Sequence, residues 1–303
     1  MTCAGADTMH DLAEAWAREF GRRHPGASVR VRRDAKLAAQ GMDALADRRS
    51  ECALMVREPF PAEIASFRAR VGYAPTLVNV AGGSRATKGG THAIAIYVNE
   101  TNPLRGLTLK QLDGVFSKTH LTGAPAFTNW GELGLGGEWA QRPIHVYGML
   151  RRRDTANPPG IVNFLERRML AGGEFRDDLR EEAGSASESA LDAIVRRVAE
   201  DPAGIGFSGF AYARPGARAV ALARSEGEPY LAGSADEVAS RRYPLARDIY
   251  IAIHRVPGQE LDPVVKAFLC FVLTPEGQRI VAADRMGFLP LDAGQAAAAR
   301  ENL

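Results

Sequence analysis

The sequence predicts an α/β protein built as two lobes, and three observations carry that prediction. Over the first 81 residues, segments of helical period alternate with short apolar runs, the signature of a largely parallel sheet with helical crossovers. A glycine-rich interruption, GGSRATKGG at residues 82–90, then opens a middle stretch with strands and helices of its own. The C-terminal stretch returns with one more long strand and two helices. At 303 residues the chain has length enough for one large core or two medium ones.

Taken in order, Met9, Leu12, Ala13, Trp16 and Phe20 fall at helical spacing, with Asp7 or Thr8 placed as N-cap and Pro25-Gly26 as the stop. Residues 27–31 alternate as a short strand and 37–46 read as a helix. A buried strand at 52–56 ends on Arg57, before Pro59. A helix at 64–71 and a strand at 77–81 complete the first stretch. In the middle, 93–98 (AIAIYV) is an apolar strand, and 107–116 is a helix with Thr108 as cap. Residues 143–170 follow, and the rest is organised around them. Ile144, Val146 and Tyr147 form a buried strand, then come Arg151, Arg152, Arg153, Asp154 and Thr155. After Pro158-Pro159-Gly160, Ile161, Val162, Phe164, Leu165 and Met169 resume a helical period. A helix at 187–198, strands at 205–207, 218–223 and 248–254, and helices at 261–273 and 275–284 close the chain.

Composition narrows the function. A net charge of +2 argues against a dedicated nucleic-acid binder. Hydrophobic and charged fractions of 46% and 24% are those of an ordinary soluble protein, and no run approaches the roughly 18 apolar residues of a membrane span. Cys3, Cys52 and Cys270 are too few for a disulfide framework and show no metal-ligand spacing, and Cys52 and Cys270, set in apolar runs, read as plain core residues. Six scattered histidines, with no HExxH, GxSxG or P-loop, give no enzyme, metal or cofactor motif. The start, MTCAGADTMHDL, lacks the basic and apolar regions of a signal peptide. A secreted chain whose leader has been removed and a cytoplasmic chain would both look like this.

Strand, polar loop and helix start is where an α/β protein holds an anion, because free amides and the positive helix end converge there. Three arginines in the 151–155 loop add donors that stay protonated and match an oxyanion's shape. The alternative is a solvated turn, or arginines that pair with Asp34, Glu58 or Asp154.

A resemblance to a known family rests on pieces in one order along nearly the whole chain. They are GADTM at 5–9, VREP at 56–59, AIAIYVNETNPLRGLTLKQLDGVFS at 93–117, NWGELG at 129–134 and PIHVYG at 143–148. SASESALDAIVRRVAEDPAGIGFSGFAYA at 185–213, YPLARDIYIAIHR at 243–255 and FLCFVLTPEGQRIVAADRMGFLPL at 268–291 follow. In these the chain resembles the phosphate-binding solute receptors of bacterial ABC importers, of the periplasmic binding protein type II fold. The resemblance implies hinged lobes, each with a central mixed sheet flanked by helices. Residues 1–91 and 243–303 would form one lobe and 92–242 the other, with phosphate or a related small oxyanion held between them. It implies a monomeric, non-enzymatic, periplasmic protein without a cofactor, whose leader has been removed and whose partner is a membrane ABC permease.

The ligand residues that follow are Asp7, Thr8 and Met9 in the opening loop, Arg57 at the strand end, the loop Arg151, Arg152, Arg153, Asp154 and Thr155, and Ser187 at the late helix. The family's Ser-Gly-Thr triplet is replaced here by RRRDTANPPG, where Arg153 fits the family's arginine and Thr155 or Asn157 could replace some hydroxyl contacts. A second departure at residues 32–39 puts Arg33 and Lys36 where relatives carry glycine and serine. Both shift recognition from amides toward charge. Two readings therefore stand: an oxyanion receptor, with Lys36 among its ligands, or a binding or sensing module of the same fold with a different ligand or a degenerate site.

Overall fold

The computed structural model describes residues 1–151, 159–301 and 303, and divides into two compact units, 1–91 with 247–303 and 92–246. The first unit opens with strand β1 (Thr2–Gly5), helix α1 (His10–Arg23), strand β2 (Arg30–Arg32), helix α2 (Ala38–Ala46), strand β3 (Cys52–Met55), helix α3 (Pro61–Val71) and strand β4 (Thr76–Gly82). Helix α1 begins later than its sequence suggests. Asp7–Met9 form a single 3-10 turn, and neither the Asp7 nor the Thr8 side chain caps the helix.

The second unit contains β5 (Ile94–Asn99), β6 (Gly106–Thr108), α4 (Leu109–Phe116), β7 (His145–Met149), α5 (Gly160–Arg168) and β8 (Arg180–Glu182). It continues with α6 (Ala190–Glu200), β9 (Gly204–Gly209), β10 (Ala217–Ala219), β11 (Ala221–Ala223) and α7 (Ala235–Ala239). Among the described residues its main sheet runs β10-β5-β9-β7-β8, with β7 parallel to β8 and β9, and β5 antiparallel to β9 and β10. Thr108 caps α4 by accepting a hydrogen bond from the Gln111 amide at 3.1 Å. Helix α6 starts at Ala190, capped by Ser189, so Ser187 lies outside it. Its core stacks Phe116, Phe175 and Phe207, with Trp130 edge-on to Trp139.

The chain then re-enters the first unit with β12 (Asp248–Ile253), α8 (Pro263–Val272), α9 (Pro275–Ala282) and α10 (Ala293–Arg300). Strand β12 inserts between β3 and β4, antiparallel to both, in the order β2-β1-β3-β12-β4, so the sheet is mixed where local pattern suggested a largely parallel one. One face packs Trp16, Phe20, Phe268, Leu269 and Val281, with the Trp16 indole donating to the Gly277 carbonyl at 2.8 Å.

Cys52 is not a plain core residue, and one disulfide forms in a chain with too few cysteines for a framework. The parallel register of β1 and β3 pairs Cys3 and Cys52 directly, their α-carbons lie 4.7 Å apart, and their sulfurs form a disulfide. Only Cys270 is free among the described residues.

Candidate functional site

In the first unit the residues nominated by the sequence sit at the carboxyl ends of β1 and β3. Gly5 has φ +143°, and a β-carbon there would stand 2.4 Å from the Leu54 carbonyl oxygen, so no other residue fits this exit from β1. Gly41 of α2 lies against Ala4 and Gly5 in the same way, which lets the head of α2 close on the end of β1. The Ala6 amide donates to the Leu54 carbonyl and the Asp7 amide to the Lys36 carbonyl, both at 3.0 Å. Asp7, Thr8, Met9 and Lys36 thus meet at the heads of α1 and α2. Asp7 and Lys36 are exposed, Thr8 is half-buried and Met9 is fully buried. The Gln40 side chain accepts from the Lys36 and Leu37 amides at 2.7 and 3.0 Å, fixing the entry to α2.

Arg33 does not stand free beside Lys36. Its guanidinium bonds Asp11 at 2.9 Å and Glu14 at 2.7 Å on the exposed side of α1. Arg32 pairs in turn with Asp34.

Arg57 is held within its own unit. Two of its nitrogens grip the Glu63 carboxylate at 2.6 and 2.8 Å, one also donates to the Glu58 carbonyl at 3.0 Å, and its guanidinium carbon sits 3.6 Å from the centre of the Phe60 ring. The Arg57 and Glu63 side chains are 12% and 8% exposed, so this is a nearly buried ion pair. Glu63 is also the third residue of α3, accepting from the Phe60 amide at 2.7 Å. Among the described residues these three hydrogen bonds leave the Arg57 Nε–H and one Nη2 proton unused.

Behind Arg57 lies a buried group that sequence reasoning missed. Tyr250 donates to one Glu58 oxygen at 3.3 Å, while the other Glu58 oxygen is buried without a partner among the described residues. Burial and the nearby Glu58 charge hold the Tyr250 phenol protonated. Burial also pushes the Arg247 guanidinium below its usual range, with the Glu58 charge acting against that shift. Glu63 could have been read from its place three residues past the start of a Pro-initiated helix. Tyr250 and Arg247 carry no local signal.

In the second unit, Arg151 is buried. It donates to Glu181 through Nε and to the Phe175 and Arg176 carbonyls, each at 3.1 Å, through Nη1, so these groups hold it inside its own unit. Arg152, Arg153, Asp154, Thr155 and Asn157 lie outside the described residues. Ser187 is exposed and its amide donates to Ser185 Oγ at 3.3 Å. At the amino end of β7 one Asp201 oxygen accepts from the Tyr147 hydroxyl at 2.8 Å and from Arg180 at 3.3 Å, and meets His145 Nδ1 at 2.7 Å. Among the described residues no cluster of His, Cys, Asp and Glu is placed to hold a metal ion, and no helix is long and apolar enough to cross a membrane.

Two α/β units with mixed main sheets, the first completed by a returning C-terminal segment, have the architecture of the periplasmic type II fold. Residues 1–276 match the PBP superfamily domain, and the chain belongs to that superfamily. Over 97% of its length it is 32% identical to the phosphate-binding protein PstS of Pseudomonas aeruginosa, covering 83% of that protein, which places both in one family. Two solved structures share the fold. PstS of Borrelia burgdorferi aligns with TM-score 0.60 at 15% identity, over 97% of this chain and 99% of that one. An ABC-type phosphate transport receptor of Vibrio cholerae aligns with TM-score 0.57 at 17% identity, over 95% and 99% of the two chains.

Proposed function

We propose that this protein binds inorganic phosphate outside the cytoplasm and delivers it to an ABC transporter, acting as a receptor and not as an enzyme. The observation that carries this reading is the 32% identity, sustained over 97% of the chain, to a phosphate-binding protein. The Cys3–Cys52 disulfide supports an oxidising compartment, where such bonds form and persist. On this reading Asp7, Thr8, Met9, Lys36 and Arg57 contribute the first unit's share of the ligand contacts. Arg152, Arg153, Asp154 and Thr155 contribute the loop's share, and Ser187 the late helix's.

One observation favours a second reading. Arg33 and Arg57 are already paired with carboxylates of their own unit, so part of the cationic set predicted for the ligand is neutralised without one. A different oxyanion, or a degenerate site, would follow. Thermal unfolding with phosphate, sulfate, arsenate and molybdate at matched ionic strength separates the readings. A ligand present at about a thousand times its dissociation constant stabilises the fold by roughly 4 kcal/mol. A shift with phosphate supports the receptor reading, a shift with another anion alone transfers the specificity, and no shift with any of them rejects both anion readings.

A further inference from the structure

Away from the residues assigned to phosphate, the second unit gathers arginines around the loop that follows α7. Arg168, the last residue of α5, turns its Nε–H to the Pro244 carbonyl at 3.1 Å. Arg224, just past β11, directs Nη2 to the Arg241 carbonyl at 2.7 Å and lies 3.5 Å from the Arg242 carbonyl. Two guanidinium groups from distant parts of the sequence therefore converge on one short loop, which itself carries Arg241 and Arg242. Arg242 is exposed, and its Nε donates to Ser240 Oγ at 3.2 Å.

Two further features mark this as more than a solvated face. Burial, and next the positive charge of Arg168, hold the Arg224 guanidinium below its usual range, so the two cations repel one another. Arg241 has φ +58°, the left-handed position just beyond a helix end where glycine is ordinarily found. An arginine there, unlike glycine, strains the backbone. Two carboxylates lie nearby: the Glu228 charge acts against the lowering of the Arg224 pKa, and Glu237 is held below the usual carboxylate range first by the Ser234 amide, with the Arg242 charge contributing. Glu237 accepts from the Gly233 and Ser234 amides, and Glu228 accepts from Ser225 Oγ. Among the described residues these anchoring bonds leave Arg168 both terminal nitrogens and Arg224 its Nε and Nη1. Those donors suit the several oxygens of one anion.

We propose that Arg168, Arg224 and Arg242 form a second oxyanion site on this unit, for a phosphate-type group. The chemistry is shared by free inorganic phosphate and by the headgroup of an anionic phospholipid.

Two arms test it, each comparing the wild type with Arg168→Gln/Arg224→Gln at low salt. Calorimetric titration with inorganic phosphate reads the free anion, and the difference between the two proteins isolates this site from any other. Co-sedimentation with phosphatidylglycerol vesicles, against phosphatidylcholine, reads the headgroup. The expected result is at least a tenfold weakening per arginine removed, about the loss of one charge-assisted bond, in one arm or the other. Loss in the calorimetric arm identifies the free anion and loss in the vesicle arm the headgroup. Equal behaviour of the two proteins in both arms overturns the site. So does an equal loss in Arg22→Gln/Arg49→Gln, which removes the same charge from exposed positions of the first unit. If the double variant does not fold, the exposed Arg242→Gln carries the same comparison with the same expected loss.

Discussion

Arg57 shows how far a single residue can be read from sequence. Its position at a strand end, within VREP, was enough to single it out as a ligand-facing cation, but its partner Glu63 lies in the next helix and holds two of its nitrogens. Breaking a nearly buried ion pair from one side leaves the other charge uncompensated, a loss of about 3–5 kcal/mol for fully buried pairs. Glu63→Ala should therefore lower stability by roughly 3 kcal/mol in urea unfolding. Arg57→Ala should do so too, and should also weaken phosphate binding by about 1.5–3 kcal/mol if its remaining donors reach the ligand. Unchanged binding in folded Arg57→Ala would make Arg57 a brace for α3 and nothing more. Arg33 and Arg151 show the same limit: the chemistry of the side chain is legible, but the carboxylate it meets is decided by tertiary packing.

Asp201 stands at the C-cap of α6. Burial works to raise its pKa, yet hydrogen bonds from Tyr147 and His145, with the Ala203 amide, together hold it below the usual carboxylate range. A carboxylate whose pKa is depressed by folding adds stability above its unfolded pKa, and that stability is lost as the pH falls through the folded value. The stability difference between the wild type and Asp201→Asn should thus be largest near neutral pH and shrink below about pH 4. A difference that grew on acidification would assign the network the opposite sign.

At the scale of elements, what local period controls was legible and what register controls was not. Helix α1, the apolar β5 and the Thr108 cap follow from spacing alone. Helix α10, AGQAAAAR, has only alanines for an apolar face and so gives no period to read. Residues 218–223 look like one strand, but Val220 bonds back to Ile96 and the chain divides there between two sheets. The disulfide was illegible for the same reason: its cysteines are 49 residues apart and meet only because β1 and β3 are neighbours in that register. A cross-link closing a loop of that length stabilises by about 4 kcal/mol on chain-entropy grounds. Cys3→Ala/Cys52→Ala should lower the thermal midpoint accordingly, and reductant should leave that variant's midpoint unmoved while lowering the wild type's.

At the scale of the whole molecule, the alternation of helix and strand gave the α/β class. The order of motifs gave the family, which 32% identity to a phosphate-binding protein supports. Local pattern could not place β12, because a strand's position in a sheet is set by partners far along the chain. On the proposed reading phosphate is the ligand, and Thr8, in the turn before α1, contributes to holding it. Calorimetric titration of phosphate into the wild type and Thr8→Ala, with sulfate as competitor, tests that reading most directly. Saturable binding by the wild type that sulfate does not abolish is expected, weakened in Thr8→Ala by about 1 kcal/mol or more. No binding to the wild type, or binding indifferent to Thr8 and abolished by sulfate, would contradict that reading.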